Sequence, residues 1–309
     1  MITVFSWNVN GLLDRIKRSM VLRYLKRHNP DVVLLQETHL LGTQCAFLGR
    51  LGYDRVYHSG FVRGSRGVAI LLRKNFPMAI LTSHTDPGGR FVGIEGRYEA
   101  QQYIFFSVYI PPQCPQEAFK DLQSVLFGLP LGITLIGGDF NAVPRPELDI
   151  SGEIRAGRST QSRRLVAWAE AMGLCDAWRI WHPNRRAYTH TSASHGTHSR
   201  IDQIWIPAVD TSRISHVEIL PRGISDHSPL LVRLGVNQNY RRPMWKFNAW
   251  YMQNPECAKF AQNTIVQYFL QNTGSVDSVA TLWAASKPTI RGHLKGYIRL
   301  QQKERTHQI

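Results

Sequence analysis

Short apolar runs rich in β-branched residues recur along this chain, and several stop abruptly at a polar motif; nothing else in the sequence constrains the fold as much. Ile2 to Trp7 ends at Asn8, and Val32 to Leu35 runs into Gln36-Glu37-Thr38-His39. Phe105 to Val108 reaches Tyr109-Ile110-Pro111, and Ile133 to Ile136 leads to Gly138-Asp139-Phe140-Asn141. Farther on, Arg200-Ile201-Asp202 opens a run continuing Gln203-Ile204-Trp205, and Ser225-Asp226-His227 precedes Pro229 to Leu234. Such runs read as strands, and a polar group at a strand end is delivered to a sheet rim, where a rigid scaffold presents it to a ligand. One rim would then gather amides (Asn8, Asn141), carboxylates (Glu37, Asp139, Asp202, Asp226), a phenol (Tyr109) and an imidazole (His227). That inventory suits metal-assisted attack on a phosphodiester.

The order of elements narrows the architecture. A strand at Ile2 to Trp7, a helix from Asp14 to Arg27, the break Asn29-Pro30-Asp31 and the run Val32 to Leu35 read as strand, crossover helix and neighbouring strand. Closely spaced strands then follow at Tyr53 to Tyr57, Gly67 to Leu72, Met78 to Leu81, Phe91 to Glu95 and Tyr103 to Ile110, the spacing of an antiparallel meander. A helix after Pro115 ends near Gly128, and another spans Gln161 to Met172. Strands at Ala187 to Thr191, Arg200 to Ile206, His216 to Leu220 and Pro229 to Leu234 complete the pattern. Mixed sheets packed face to face, with helices outside, house this order.

Residues 1–236 read as one large domain and 237–309 as a basic helical extension, entered through Arg241-Arg242-Pro243. In the extension Lys287, Arg291, Lys295, Arg299 and Lys303 recur every fourth position, with Ile290, Leu294, Tyr297 and Ile298 on a second face. The formal charge is +15, from 37 Lys and Arg against 22 Asp and Glu, which favours a polyanionic partner, nucleic acid before others. Ten basic against three acidic residues in 237–309 make the extension the more basic part per residue. Four dispersed cysteines without a Cys-x-x-Cys pair, no signal-peptide pattern and no apolar run of about 18 residues predict reduced thiols, a nuclear or cytoplasmic setting and no membrane partner.

Each motif has a plain reading beside its chemical one. Asn8, in Asn8-Val9-Asn10-Gly11, is by itself a turn amide, and Glu37 a solvated strand end. As a hard oxygen donor, Glu37 suits Mg²⁺, which takes one or two protein carboxylates and keeps several waters. Asp139 and Asn141 form an Asx turn, or else Asp139 deprotonates an attacking water while Asn141 donates to the phosphoryl oxygens. Tyr109 packs in a core, or reaches a phosphate oxygen. Asp202, inside a strand, either anchors an arginine or joins a metal and imidazole network. His227 between Asp226 and Ser228 is the most diagnostic residue: a carboxylate that fixes its tautomer leaves an imidazolium to stabilise pentacovalent phosphorus.

Taken together, in this order, these residues make residues 1–236 resemble the endonuclease, exonuclease and phosphatase superfamily, the fold of deoxyribonuclease I and exonuclease III-type abasic-site nucleases. The resemblance implies a four-layer α/β sandwich of two packed mixed β-sheets flanked by helices. It also implies a catalytic set Tyr109, Asp139, Asn141, Asp202, Asp226 and His227, with Asn8 and Glu37 at Mg²⁺ or a substituting Mn²⁺. Within the superfamily, Asn8-Val9-Asn10-Gly11, Gln36-Glu37-Thr38-His39 and Tyr188-Thr189 followed by a loop to Ser199-Arg200-Ile201-Asp202 resemble the endonuclease domain of LINE-type, non-LTR retrotransposon polyproteins. Abasic-site nucleases usually carry Asp where this chain has Asn10, and Gly-Trp-Arg where it has His198-Ser199-Arg200, which argues against abasic-site specificity.

The expected activity is therefore a nick in double-stranded DNA with a 3′-hydroxyl that primes reverse transcription, partnered by element RNA and a reverse transcriptase whose Tyr-x-Asp-Asp signature this chain lacks. Target contacts are expected from Asn10, Thr189, Ser192, Ser194, His195, Thr197, His198 and Arg200, most of them in the hairpin Thr191 to His198. The alternatives are an abasic-site or exonuclease III-like repair nuclease, a phosphatase for phosphorylated lipid or inositol, and a DNA-binding module without catalysis.

Overall fold

The structure is a computed structural model and describes residues 1–130, 132–152, 156–192, 196–235, 252, 254–274 and 278–306. Its early strands are β1 Ile2–Asn8, β2 Val32–Gln36, β3 Tyr53–Ser59, β4 Val68–Arg73, β5 Ala79–Thr85, β6 Phe91–Tyr98 and β7 Gln101–Tyr109. The later ones are β8 Ile133–Asp139, β9 Leu174–Asp176, β10 His190–Ser192, β11 Thr197–Ser199, β12 Asp202–Pro207, β13 Ile214–Ile219 and β14 Leu230–Leu234. Helices are α1 Arg15–His28, α2 Pro115–Phe127, α3 Pro146–Asp149, α4 Ala156–Ala171, α5 Ala177–Trp181, α6 Pro255–Asn272 and α7 Val279–Thr306, with 3₁₀ turns at Gly42–Leu48 and Ala208–Arg213.

Two mixed six-stranded sheets are formed, one in the order β13-β14-β1-β2-β4-β3 and the other β5-β6-β7-β8-β12-β9. Among the described residues, only β1 with β2 and β7 with β8 pair in parallel. The sheets pack face to face with helices outside, as the sequence leads one to expect, and β10 and β11 stand apart as a hairpin.

Period-two alternation explains both the core and the place of the site. Ile2 and Val4 of β1, Val32 and Leu34 of β2, Tyr103 and Phe105 of β7, Ile133 and Leu135 of β8, and Ile204 and Ile206 of β12 all belong to the apolar cluster between the sheets. Their neighbours Phe5, Trp7, Val33 and Leu35 face the other way, into a second cluster with Val21, Leu22 and Leu25 of α1. Strands buried on both faces read as continuous apolar runs, which is why β2 shows no polar alternation. Helix α1 is bounded locally: the Asp14 side chain accepts from the Lys17 amide at 2.6 Å, and Asn29 closes the far end in the left-handed region.

Some elements depart from the sequence reading. Helix α4 begins at Ala156 rather than Gln161, and the strand read over Ala187 to Thr191 is only His190–Ser192. Strand β9 and helix α5 are too short to carry a periodic signal; they exist because β9 pairs with β12 and Asp176 caps α5 through the Trp178 amide.

Two compact units partition the chain: Met1–Val125 with Leu131–Asn239, and Leu126–Pro130 with Tyr240–Ile309. The linker read at Arg241-Arg242-Pro243 lies outside the described residues. Within the second unit, α6 and α7 meet through Phe260 stacked on Tyr297 at 4.2 Å and Phe269 on Trp283 at 6.1 Å. Leu294 and Ile298 of α7 are buried while Lys287 is exposed, as an amphipathic helix requires. No helix among the described residues is long and apolar enough to cross a membrane, and the four cysteines are free thiols.

Candidate active site

The face between the sheets turns polar at one rim. Following the odd positions of β7 and β8 and the even ones of β1, β2 and β12, the apolar column ends in Ser107 and Tyr109, Asp139, Asn8, Gln36 and Asp202. Register does the aligning: Tyr109 sits opposite Asp139, and Asp139 opposite Asp202. Gly138 permits the close approach, since a Cβ there would stand 1.8 Å from the Val108 carbonyl oxygen.

Asn8, fully buried, is the hub: its Nδ2 donates to Glu37 Oε1 at 2.8 Å and to Asp139 Oδ2 at 2.9 Å, while its Oδ1 accepts from the Asn10 amide at 3.0 Å. Asn8 thus stands beside Glu37, with which it is expected to hold the metal. Its N–H groups face the two carboxyl groups and its oxygen is turned to the backbone. Glu37 follows immediately after β2 with φ of 50°, next to His39 at φ 59°, and Asn10 and Asn141 share this left-handed region at 45° and 48°. Non-glycine residues held there cost on the order of 1–3 kcal/mol each and cluster at functional sites.

Charges are spread unevenly over the rim. Burial pushes the Glu37 carboxyl up, but hydrogen bonds from His39 and Asn8 and the charge of His227 outweigh it, so Glu37 stays anionic. Asp139 goes the other way: burial, then the negative charge of Asp202, holds it well above the usual carboxylate range against the pull of His227, the Asn141 amide and Asn8. His227 Nδ1 lies 2.8 Å from Asp202 Oδ2. Burial would lower this imidazole, but Asp202 first, then Asp139 and Asp226, raise it to about 10, so it is a cation near neutrality. Asp202 thus joins the imidazole, and among the described residues it makes no ion pair with an arginine.

Other members surround this centre. Asp226 is held below its usual range, since the nearby charge of His227 and hydrogen bonds from Asn10 Nδ2 at 3.1 Å and Ser225 at 3.2 Å outweigh its partial burial. Ser225 Oγ also donates to the Asn8 carbonyl at 2.8 Å, tying the His227 loop to β1. The Asn141 amide N–H donates to Asp139 Oδ1 at 2.8 Å, the Asx turn, and its side chain donates to the Ile110 carbonyl at 3.0 Å. Burial pushes the Tyr109 phenol up, with Glu37 and Asp139 adding to the effect, so it stays protonated as a donor. All eight residues of the expected catalytic and metal set therefore lie in or against one network.

The donor set fits a hard divalent cation. Glu37 offers a partly exposed carboxylate, and Glu37, Asp139, Asp202 and Asp226 together outnumber the positive charge of His227. Burial first, and then the charge of Asp202, raises the Asp139 carboxyl, and a cation placed there would offset both.

The expected DNA-facing residues divide. Asn10 and His198 are exposed, and Ser192 and Thr197 half-buried, with Thr191 Oγ1 hydrogen-bonded to His198 Nδ1 at 2.9 Å. Ser194 and His195 lie outside the described residues. Thr189 and Arg200 do not reach the surface: the Thr189 hydroxyl accepts from the Asp202 amide at 3.2 Å, and Arg200 is fully buried between Asp149 (2.7 Å) and Asp176 (2.6 Å). A guanidinium enclosed by two carboxylates braces the start of β12 and cannot also touch DNA.

Sequence reasoning missed two neighbours. His190 lies against His227, and a cavity of about 220 Å³ opens beside it, lined by Asn141, Ile150, His190, Ser199 and Ile201 among others. The second is the loop between β3 and β4, where Phe61 and Val62 are exposed and Arg66 lies over the Phe61 ring at 4.7 Å. It is tied to the Glu37 turn by amide bonds from Thr38 to the Gly67 carbonyl and from His39 to the Arg66 carbonyl, both 2.9 Å. An exposed aromatic beside arginines in Phe61-Val62-Arg63 was the available signal.

Comparison with known proteins identifies the family and the fold. The Endonuclease/Exonuclease/phosphatase family matches the chain over residues 5–227. A 149 kDa protein of transposon TX1 from Xenopus laevis is 26% identical over 269 residues, 85% of this chain and 20% of that protein. A DNA-(apurinic or apyrimidinic site) endonuclease of Dictyostelium discoideum is 26% identical over 263 residues, 76% of this chain and 71% of that enzyme. Among solved structures, an AP endonuclease from Leishmania major superposes with a TM-score of 0.63 at 17% identity, covering 75% of this chain and 86% of that one. One from Archaeoglobus fulgidus gives 0.61 at 23%, covering 76% and 100%.

Proposed function

Since the chain belongs to the endonuclease/exonuclease/phosphatase family, we propose that it is the Mg²⁺-dependent endonuclease of a LINE-type retrotransposon, nicking duplex DNA to leave a 3′-hydroxyl that primes reverse transcription. The observation that carries the chemistry is the joined network in which Asn8 bridges Glu37 and Asp139 while Asp202 holds His227. Likeness to a transposon protein supports the biological setting.

In this reading Glu37, helped by Asn8, would hold the ion, and Asn8 orients Glu37 and Asp139. A Mg²⁺ or substituting Mn²⁺ ion held there would supply Lewis-acid neutralisation of the phosphoryl charge. Asp139, whose proton affinity burial has raised, takes a proton from the attacking water, and its backbone tether to Asn141 fixes its direction. The water oxygen bonds to phosphorus, the bond to O3′ breaks, and O3′ takes a proton from solvent. His227, kept cationic by Asp202, donates to the phosphoryl oxygens together with Asn141, and Tyr109 positions the phosphate. Asp226 steadies the His227 loop through Asn10 and Ser225.

DNA approaches over the rim. The β10–β11 hairpin, through Ser192, Thr197 and His198, probes groove width, and the Phe61 to Arg66 loop, tied to the Glu37 turn, meets the backbone. Residues 237–309 are read as a basic linker toward a reverse transcriptase and its element RNA.

A second reading, abasic-site repair, has the similar Dictyostelium enzyme in its favour. One assay separates the two: nicking of supercoiled plasmid against an oligonucleotide with one abasic site, each with and without Mg²⁺ and with the new ends labelled. Mg²⁺-dependent plasmid nicks bearing 3′-hydroxyls at rates matching or exceeding the abasic substrate support the first reading. Cleavage confined to abasic sites ends it.

A further inference from the structure

His190, the first residue of β10, has no part in the chemistry above, yet it is built into its edge. Its ring lies 4.6 Å from that of His227, centroid to centroid, at an interplanar angle of 44°. Its Nε2 is 3.8 Å from Asp226 Oδ2, and its backbone forms an isolated bridge to His227. One potential ligand atom from each of His190, Asp226 and His227 lies within 4.8 Å of the other two. Two imidazoles and a carboxylate are the donors of zinc and its transition-metal neighbours, whereas Mg²⁺ takes oxygens.

From this geometry we propose that His190, Asp226 and His227 form a second, inhibitory metal site selective for Zn²⁺, separate from the Glu37 position.

Three features carry the assignment. His227 already directs Nδ1 to Asp202 at 2.8 Å, leaving Nε2 for the ion; a metal-bound histidine whose other nitrogen meets a carboxylate is the usual outer arrangement of zinc sites. The backbones are held together as well, by the bridge and by the Ser228 amide donating to the Thr189 carbonyl at 2.6 Å, so both imidazoles start from fixed positions. Finally, the site is open: the side chains of His190 and Asp226 are 23% and 41% exposed, which leaves an entry path and room for a water as the fourth ligand. Ligands around tetrahedral zinc stand about 3.4 Å apart, so side-chain rotation has to close the present gaps by roughly 1 Å. The proton displaced from His227 passes to the buffer.

Occupation would withdraw the very imidazole that faces the phosphate. The binding stands on the three side chains alone, and the inhibition rests on the nuclease reading. Both parts are tested on the full chain freed of metal by chelation. Isothermal titration with ZnCl₂ should show one site of micromolar affinity, weakened at least tenfold by His190→Phe, by His190→Gln and by Asp226→Asn. In plasmid nicking with millimolar Mg²⁺, micromolar Zn²⁺ should abolish the parent's activity, while His190→Phe and His190→Gln should nick at the parental rate without Zn²⁺ and withstand at least tenfold more of it. Unchanged Zn²⁺ affinity in both His190 variants, or unchanged Zn²⁺ sensitivity of nicking, overturns the proposal. Binding lost in the variants together with no nicking by the parent under any metal keeps the site and overturns the nuclease reading instead.

Discussion

Two buried charge clusters lie on either side of the start of β12, and they are built on opposite principles. Around Arg200, two guanidiniums (Arg200, Arg179) meet two carboxylates (Asp149, Asp176), all nine-tenths or more buried, so charge closes on itself. Around His227, a single imidazolium faces Asp139, Asp202, Asp226 and, through Asn8, Glu37, so the negative charge is left open. Both lie within a few residues of Asp202, the first brace holding the strand on which the second depends. A closed cluster resists removal of any member, whereas an open one is completed by something from outside, a divalent ion and a phosphate.

The comparison breaks first at the open cluster. Asp139→Asn, nearly isosteric and relieved of a surplus charge, should lower Mg²⁺-supported nicking by on the order of 10²–10⁴-fold with an unchanged or higher melting temperature. Thermal unfolding beside the plasmid assay checks it, and a destabilised variant would put Asp139 with the braces. Arg200→Met should do the reverse, leaving Asp149 and Asp176 short of a partner and costing roughly 3–5 kcal/mol in urea unfolding. A cost under about 1 kcal/mol would erase the distinction. Asn8→Ala lies between the two, since it frees both Glu37 and Asp139 from their bridge; the metal concentration for half-maximal activity should rise about 10–100-fold.

The smallest effect belongs to a third cluster, which sharpens the contrast. Burial pushes the Asp86 carboxyl up, but its bonds to the Arg90 guanidinium and amide win and hold it below its ordinary value. A carboxyl depressed in the folded state contributes stability that is complete above about pH 4 and is lost as pH falls through the folded value. Asp86→Asn should accordingly flatten the acid limb of the melting-temperature profile below about pH 4, a change of a few degrees that calorimetry resolves.

Much of this was legible in the sequence because a strand end is a local event. Val32 to Leu35 running into Glu37, and Ile133 to Ile136 running into Asp139, place both carboxylates at a rim without any knowledge of their partners. What stayed hidden depends on distance through the fold. Arg200 resembled a DNA contact because its partners lie 51 and 24 positions earlier in the chain, one of them on the unforeseen β9. Asn8 read alone as a turn amide because nothing local says that its N–H groups meet Glu37 and Asp139. His190 carried no local signal at all, since its meaning comes from a cross-chain bridge to His227.

Because the reactive side chains continue the same alternating column as the apolar ones, the hydrophobic interior and the working rim cannot be varied separately. Inserting one residue within β8 would turn Asp139 toward α-helical packing and Leu135 toward its opposite side at a stroke, losing solubility along with turnover. The connections beyond the rim obey no such parity. Lineages descended from a shared ancestor are therefore expected to lengthen, shorten and exchange their hairpins freely while keeping strand lengths constant to the residue, which lets target choice drift without disturbing the chemistry.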